Sequence, residues 1–252
     1  MFLLDAITAN FPAVISLVGA GGKTSTLRRL GHELAQIRRS AILTSSTRLG
    51  TDQLVNHPIL FWDAKGPFRS PDEVLNVAKN LTEKVHVIFV VSKLAGNKVL
   101  GLDIATIDRL AGNFDAVVVE ADGARGRSLK APGPHEPVWP RSTQVAVAVA
   151  GIDALGKPLD ERIVHRPVRV AVLSGQGIGE RISLQTIVSC LAHPKGVFQG
   201  VPDGADRVVL INKVSPESLD DAKSLSRLLL SNLPSARVII GDIQPDRVVL
   251  WS

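Results

Sequence analysis

Apolar positions along this chain fall into short unbroken runs separated by stretches of helical spacing. Ala13-Val14-Ile15-Ser16-Leu17-Val18 is one run, and it stops at Gly19; from Lys23 to about Ile37 the apolar residues recur as Leu27, Leu30, Leu34 and Ile37. Spacings of three and four keep those side chains on one helix face, so the pattern predicts strand, turn, helix. A second strand is expected over residues 40–44, ending in the hydroxyl cluster Thr44-Ser45-Ser46-Thr47, and a weaker one over 59–62. Ser70-Pro71-Asp72-Glu73 has the chemistry of a helix start, with a serine cap, a proline in the first turn and acids near the positive end of the dipole; the helix runs to about Leu81. Strands follow over 85–91 and 114–119, with a helix capped by Asp103 and running through Leu110 between them. The β-branched or Ala/Val runs 144–150, 168–173, 207–211 and 237–240 are read as further strands, with a helix over 217–230 before the last.

Continuous apolar runs, rather than strict alternation, are what strands show when helices cover both faces of their sheet. The expected fold class is therefore α/β, a three-layer α/β/α arrangement around a mostly parallel sheet. With 252 residues, 45% of them hydrophobic, a single large α/β domain over 1–252 is expected, with a soft boundary near 150–165 where glycine, proline and charge collect.

Cysteine usage and charge narrow the function classes. Cys190 is the only cysteine, which excludes an intramolecular disulfide, a thiolate zinc site and a cysteine-held iron–sulfur cluster; its apolar neighbours read as a buried helix. The first residues carry no basic region followed by a long apolar run, and nothing approaches the roughly 18 apolar residues of a membrane span, so a cytoplasmic protein without a membrane partner is expected. The net charge of +5 invites a nucleic-acid reading, but it is spread evenly: 14 basic against 12 acidic residues up to Gly126, and 15 against 12 after it. Only 4% of residues are aromatic and none is tyrosine, leaving few platforms for stacking bases. Nucleic acid is not expected; anionic small molecules are.

Gly19-Ala20-Gly21-Gly22-Lys23-Thr24-Ser25 carries the most chemistry. A glycine-rich turn between a buried strand and a helix lets backbone N–H groups converge on an anion at the positive helix end. In the phosphate-loop pattern Lys23 reaches the β- and γ-phosphates and the Thr24 hydroxyl coordinates Mg²⁺. The loop is a variant, because Leu17 stands where the usual spacing has its first glycine. The competing reading is a glycine-rich turn with an exposed lysine.

The strand ending Val119-Glu120-Ala121-Asp122 places two acids on one face at its carboxyl end, where they can hold Mg²⁺ or orient a water. The next segment, with four prolines, excludes helix and interior strand. It offers Arg125, Arg127 and Lys130 to an anionic substrate and His135 and Glu136 to proton transfer, although a solvated loop explains the same residues. Asn212-Lys213-Val214-Ser215 is like a guanine-gripping element in which serine replaces the decisive aspartate; Asn212 and Lys213 are candidate base contacts, with weak guanine selectivity. Thr44 to Arg48 is expected near the same sheet edge, while His32, on a helix, and His86, within a strand, lack metal-ligand spacing.

Taken together, the G-A-G-G-K-T loop, the V-E-A-D-G-A-R-G, L-K-A-P and H-E-P-V-W-P blocks, the run from His193 to Pro202 and Ile211-Asn212-Lys213-Val214 resemble the YqeC family across nearly the whole chain. That family is described as accessory to selenium-dependent molybdenum hydroxylases. The resemblance implies a P-loop NTPase-like, Mg²⁺-dependent protein using ATP or GTP, which helps make or insert the selenium-containing molybdenum cofactor. Its implied partners are the molybdenum cofactor or a selenium donor, and an apo-hydroxylase. The alternatives are a nucleotide-gated chaperone that delivers cofactor unmodified, and a small-molecule kinase or ATP-dependent ligase. Matching positions are Gly19, Gly21, Gly22, Lys23 and Thr24 for the loop, and Glu120, Asp122, Arg125, Lys130, His135 and Glu136 for the acids and bases.

Overall fold

The computed structural model describes residues 2–62, 70–244 and 248–251. In chain order its first elements are α1 (Leu3–Ile7), β1 (Ala13–Gly19), α2 (Lys23–Gln36), β2 (Ala41–Ser45), β3 (Arg48–Gly50) and β4 (Ile59–Phe61). Next come α3 (Pro71–Val85), β5 (Val87–Val91), β6 (Leu94–Ala95), β7 (Lys98–Leu100), α4 (Ile104–Leu110), β8 (Ala116–Glu120) and β9 (Leu129–Lys130). The remainder is β10 (Val145–Gly151), β11 (Val164–His165), α5 (Pro167–Ser174), α6 (Leu184–Ala192), β12 (Asp206–Asn212), α7 (Leu219–Asn232), β13 (Arg237–Ile243) and β14 (Val248–Trp251).

Nine strands form one sheet in the order β14-β13-β12-β10-β1-β8-β2-β5-β4, and all pairs are parallel except the edge pair β13–β14. Its two faces are written into alternate residues of the apolar runs. Val145, Val147 and Val149 of β10 pack with Leu27, Leu30 and Leu34 of α2, while Ala146, Ala148 and Ala150 face α6 and α7. The alanines leave room for two helices on that side. Val14, Val117 and Val119 meet Val74, Ala78, Ile107 and Leu110 of α3 and α4, so the sheet is covered on both faces and the fold is three-layer α/β/α. Each fully buried leucine of α2 contributes about 1.5–3 kcal/mol through removal of its surface from water.

Capping chemistry sets several helix starts: Ser70 accepts a hydrogen bond from the Glu73 N–H and Asp103 one from the Thr106 N–H. Two expectations are corrected. Residues 168–173 are helical in α5, not a strand: Pro167 opens the helix, and Val168 and Val172, 67% and 79% exposed, share its outer side at i, i+4 spacing while Val170 points inward. His86 is not within a strand but closes α3 with φ 64°, one residue before β5. Cys190 lies buried in α6, where burial pushes its thiol up to about 12. Among the described residues, no helix is long and apolar enough to cross a membrane.

Candidate functional site

In a parallel sheet all strands end on the same edge, and here four of them end together. Leu17 of β1 is in register with Glu120 at the end of β8, Gly19 with Val149, and Gly151 at the end of β10 with Asn212 at the end of β12. The connections diverge at β1, with β2 to one side and β10 to the other, which opens a crevice above the strand ends.

The loop leaving β1 bends through Gly19, Gly21 and Gly22, with φ of 89°, 87° and 128°. A Cβ on Gly21 would lie 2.2 Å from the Gly151 nitrogen, and one on Gly22 2.3 Å from Asn212 Nδ2, so both the backbone conformation and the close approach require glycine. The N–H groups of the bend divide into two sets. Gly19 donates to Asp122 Oδ2 (3.0 Å), Ala20 to the Val149 carbonyl (2.8 Å) and Gly21 to the Arg127 carbonyl (2.8 Å). Residues 22–25 meet no acceptor among the described residues, and α2 begins without a side-chain cap. The N–H groups of Gly19, Ala20 and Gly21, expected to contact phosphate, therefore fix the bend, and the donors open to an anion are those of residues 22–25 at the start of α2.

Behind the bend lies a network of buried charges. Lys23, 4% exposed, donates to the Gly19 carbonyl (2.7 Å) and sits 3.1 Å from Asp122 and 3.8 Å from Glu120. Lys130, 1% exposed, lies 2.9 Å from both Asp122 and Glu136 and donates to the Gly123 carbonyl. Arg166 holds Glu136 with two guanidinium nitrogens at 2.6 and 2.7 Å. Three cations thus meet three carboxylates, with Lys23, Lys130, Asp122 and Glu120 buried and Arg166 and Glu136 partly so. Burial opposes the charge on Lys23, but the adjoining Asp122 and Glu120 outweigh it and raise its pKa. Burial raises Glu120, against the pull of Lys23 and Thr24. Glu136 is held far below the usual carboxylate range: burial opposes ionisation, but the hydrogen bonds and charges of Arg166 and Lys130 outweigh it. It is a fixed anion, which removes it from the proton-transfer role expected for it.

Above this network opens a cleft of about 700 Å³. Of the expected residues the cleft gathers Gly21, Gly22, Lys23, Thr24, Ser25, Glu120, Arg125, Arg127, Glu136 and Lys213. Asp122 is fully buried between the two lysines and does not open onto it, and Lys130 lies behind it in the same way. His135 is exposed and outside the lining. Asn212, 1% exposed, is a strut: its amide donates to the Gly21 carbonyl and accepts from the Ile243 N–H, both at 2.8 Å. Lys213 does reach the cleft, with its ammonium 2.9 Å from Ser128 and Asp153. For a divalent cation the fitting donors are Thr24 and Glu120, whose hydroxyl and carboxylate oxygens meet at 2.9 Å on the cleft wall. No cluster of three or more His, Cys, Asp or Glu with metal-holding geometry occurs among the described residues; Mg²⁺ normally takes only one or two protein oxygens, with phosphate and water completing its shell.

Sequence reasoning missed His165 and Arg166, which reach the cleft from β11 and the turn into α5. Burial and the neighbouring Lys130 and Arg166 push the His165 imidazole down to about 4, so it is neutral at pH 7. The run around Gln199 buttresses the proline-rich segment: its side-chain amide donates to the carbonyls of Gly133 and Glu136, and Trp139 Nε1 donates to its carbonyl at 2.9 Å.

Residues 15–168 match the family described as YqeC protein. The chain is 34% identical over 247 residues to the uncharacterized protein YqeC of Escherichia coli (strain K12), covering 96% of this chain and 92% of that one. Among solved structures it is similar to chloroplast FtsY from Physcomitrella patens (11% identity, 98% of this chain and 64% of that one, TM-score 0.48). It is also similar to the MinD cell division protein of Aquifex aeolicus (13% identity, 92% and 83%, TM-score 0.42). Its sequence places the chain in the YqeC family.

Proposed function

We propose that the protein binds a nucleoside triphosphate with Mg²⁺ and turns it over in the service of selenium-dependent molybdenum hydroxylases. One observation carries the nucleotide reading: an uncapped helix start with four open N–H groups, beside a Thr24–Glu120 pair, at the topological switch point of a parallel sheet. The N–H groups of residues 22–25 would hold the terminal phosphates. Lys23 would turn from the carboxylates to the tail; Asp122 keeps its contact with Lys130 when it does, so no buried charge is stranded. Thr24 and Glu120 would hold Mg²⁺, which when bound neutralises charge on the phosphate oxygens. Neutral His165 lines the same cleft and can exchange a hydrogen bond with the attacking group without carrying charge. Phosphoryl transfer depends mainly on such placement and electrostatics.

Of the two expected base contacts Lys213 remains, because both ends of the Asn212 amide are committed, and Ser215 cannot offer the carboxylate that grips guanine. ATP and GTP should therefore bind within about tenfold of each other, a difference of about 1.4 kcal/mol. Calorimetric titration with each nucleotide, with and without Mg²⁺, tests this. Thr24→Val should leave Mg²⁺-free binding unchanged and abolish the gain that Mg²⁺ brings; a Mg²⁺ response that survives the substitution removes Thr24 from the metal site. Phosphate release stimulated by an apo-hydroxylase supports delivery, whereas nucleotide-dependent change of a purified molybdenum cofactor supports chemistry on the cofactor.

A further inference from the structure

The cleft has a second set of cations that the nucleotide reading leaves unused. Arg48 and Lys98 belong to the three-stranded sheet β3-β7-β6, in which Arg48 pairs with Leu100 and Gly50 with Lys98. That register puts Arg48 and Lys98 on one face, and Leu49 and Val99, both buried, on the other. The apolar face anchors the little sheet, and its base is tied to the strand ends: the Ser46 N–H donates to the Glu120 carbonyl and the Leu102 N–H to the Ser45 carbonyl. The loop after β8 supplies Arg125 and Arg127. Arg125 stands at φ 50°, beside Gly126 at 72°, a left-handed conformation that a non-glycine residue adopts at a cost and that recurs at ligand sites. This loop is also stitched to the phosphate bend through the Arg127 carbonyl.

All four cations line the cleft, and none has a carboxylate partner among the described residues, in contrast to Lys23, Lys130, Arg166 and Lys213. The two carboxylates of the cleft wall, Glu120 and Glu136, are already matched by Lys23, Lys130 and Arg166, so these four like charges repel and an incoming anion relieves that repulsion. Guanidinium groups, three of the four here, present paired N–H donors to oxyanions.

We propose that Arg48, Lys98, Arg125 and Arg127 form an anion subsite, distinct from the nucleotide's, for a small co-substrate carrying a doubly charged oxyanion group such as a phosphate monoester. This rests on the nucleotide reading in one respect: the subsite would present the co-substrate to the terminal phosphate.

The test saturates the protein with Mg²⁺ and a non-hydrolysable imido analogue of ATP or GTP, then titrates it with glycerol 3-phosphate and, separately, succinate by calorimetry. Glycerol 3-phosphate should bind one to one, and R48A/K98A should weaken it about tenfold or more while changing analogue affinity less than about twofold. Arg125→Gln, made independently, should weaken the probe in the same direction. Equal binding of succinate would support the subsite and assign it to dianions generally; discrimination against succinate would support it and assign it to phosphate. Failure of the saturated protein to bind either probe overturns the proposal, and so does loss of analogue and probe by the same factor in R48A/K98A, which would make these residues part of the nucleotide site. If no analogue binds at all, the nucleotide reading fails, and titration of the free protein decides the subsite: probe affinity lost in R48A/K98A but kept in Thr24→Val upholds it, and affinity indifferent to the double variant overturns it.

Discussion

The floor of the cleft and its rim are both rich in cations and are built in opposite ways. On the floor, Lys23, Lys130 and Arg166 are matched against Asp122, Glu120 and Glu136 at distances of 2.6–3.8 Å, and the lysines and Asp122 are withdrawn from solvent. On the rim, Arg48, Lys98 and Arg125 are exposed, Arg127 is half-buried, and none is matched. Charges withdrawn from water must be compensated within the fold, so the floor is architecture that also serves the ligand. Charges left in water need no internal partner, and their clustering at one cavity points outward, to what binds there.

That contrast can be broken by substitution, most severely at the floor. Asp122→Ala should cost about 3–5 kcal/mol of unfolding free energy, because it removes the carboxylate that two buried lysines share, leaving Lys23 with Glu120 and Lys130 with Glu136, and takes the acceptor from the buried Gly19 N–H. Urea denaturation measures it, and a loss under about 1 kcal/mol would mean that water reaches the floor freely. His165, between floor and rim, should give a smaller, pH-specific effect. Its imidazole is held down to about 4 in the folded protein against an ordinary value near 6.5, so the unfolded chain takes up the proton first. Its contribution to stability is therefore lost as pH falls from about 6.5 to about 4 and is constant below that. In His165→Gln the fall in stability across that window should be shallower than in the wild type; an unchanged slope would assign the titration to other groups. The smallest effect belongs to the rim: R48A/K98A should change unfolding free energy by less than about 0.5 kcal/mol, as for exposed unpaired side chains. A larger loss would show that these cations have structural work of their own.

The parts of this site that the sequence made legible are those whose local pattern fixes position. A glycine-rich bend after an unbroken apolar run can hardly lie elsewhere than a strand end, and Glu120 follows from the end of β8 in a parallel sheet. Which N–H groups of the bend remain open was not legible, since the partners of Gly19, Ala20 and Gly21 come from residues about 100 to 130 positions away. Asn212 was legible as a strand-end amide but not as a strut, because its role depends on how closely Gly21 and Ile243 approach it. His165 and Arg166 gave no signal: a two-residue strand has no periodicity, and the helix after it alternates Val168, Val170 and Val172 in the manner of a strand. Pro167, at the first helical position, was the cue that outweighs this alternation.

The most direct test of the central claim follows the backbone amides of the bend by nuclear magnetic resonance while Mg²⁺ and nucleoside triphosphate are added to the labelled protein. The account predicts that the resonances of residues 22–25 shift most and that those of Gly19, Ala20 and Gly21, already bonded within the fold, move little. Saturating nucleotide that leaves residues 22–25 unmoved would contradict it.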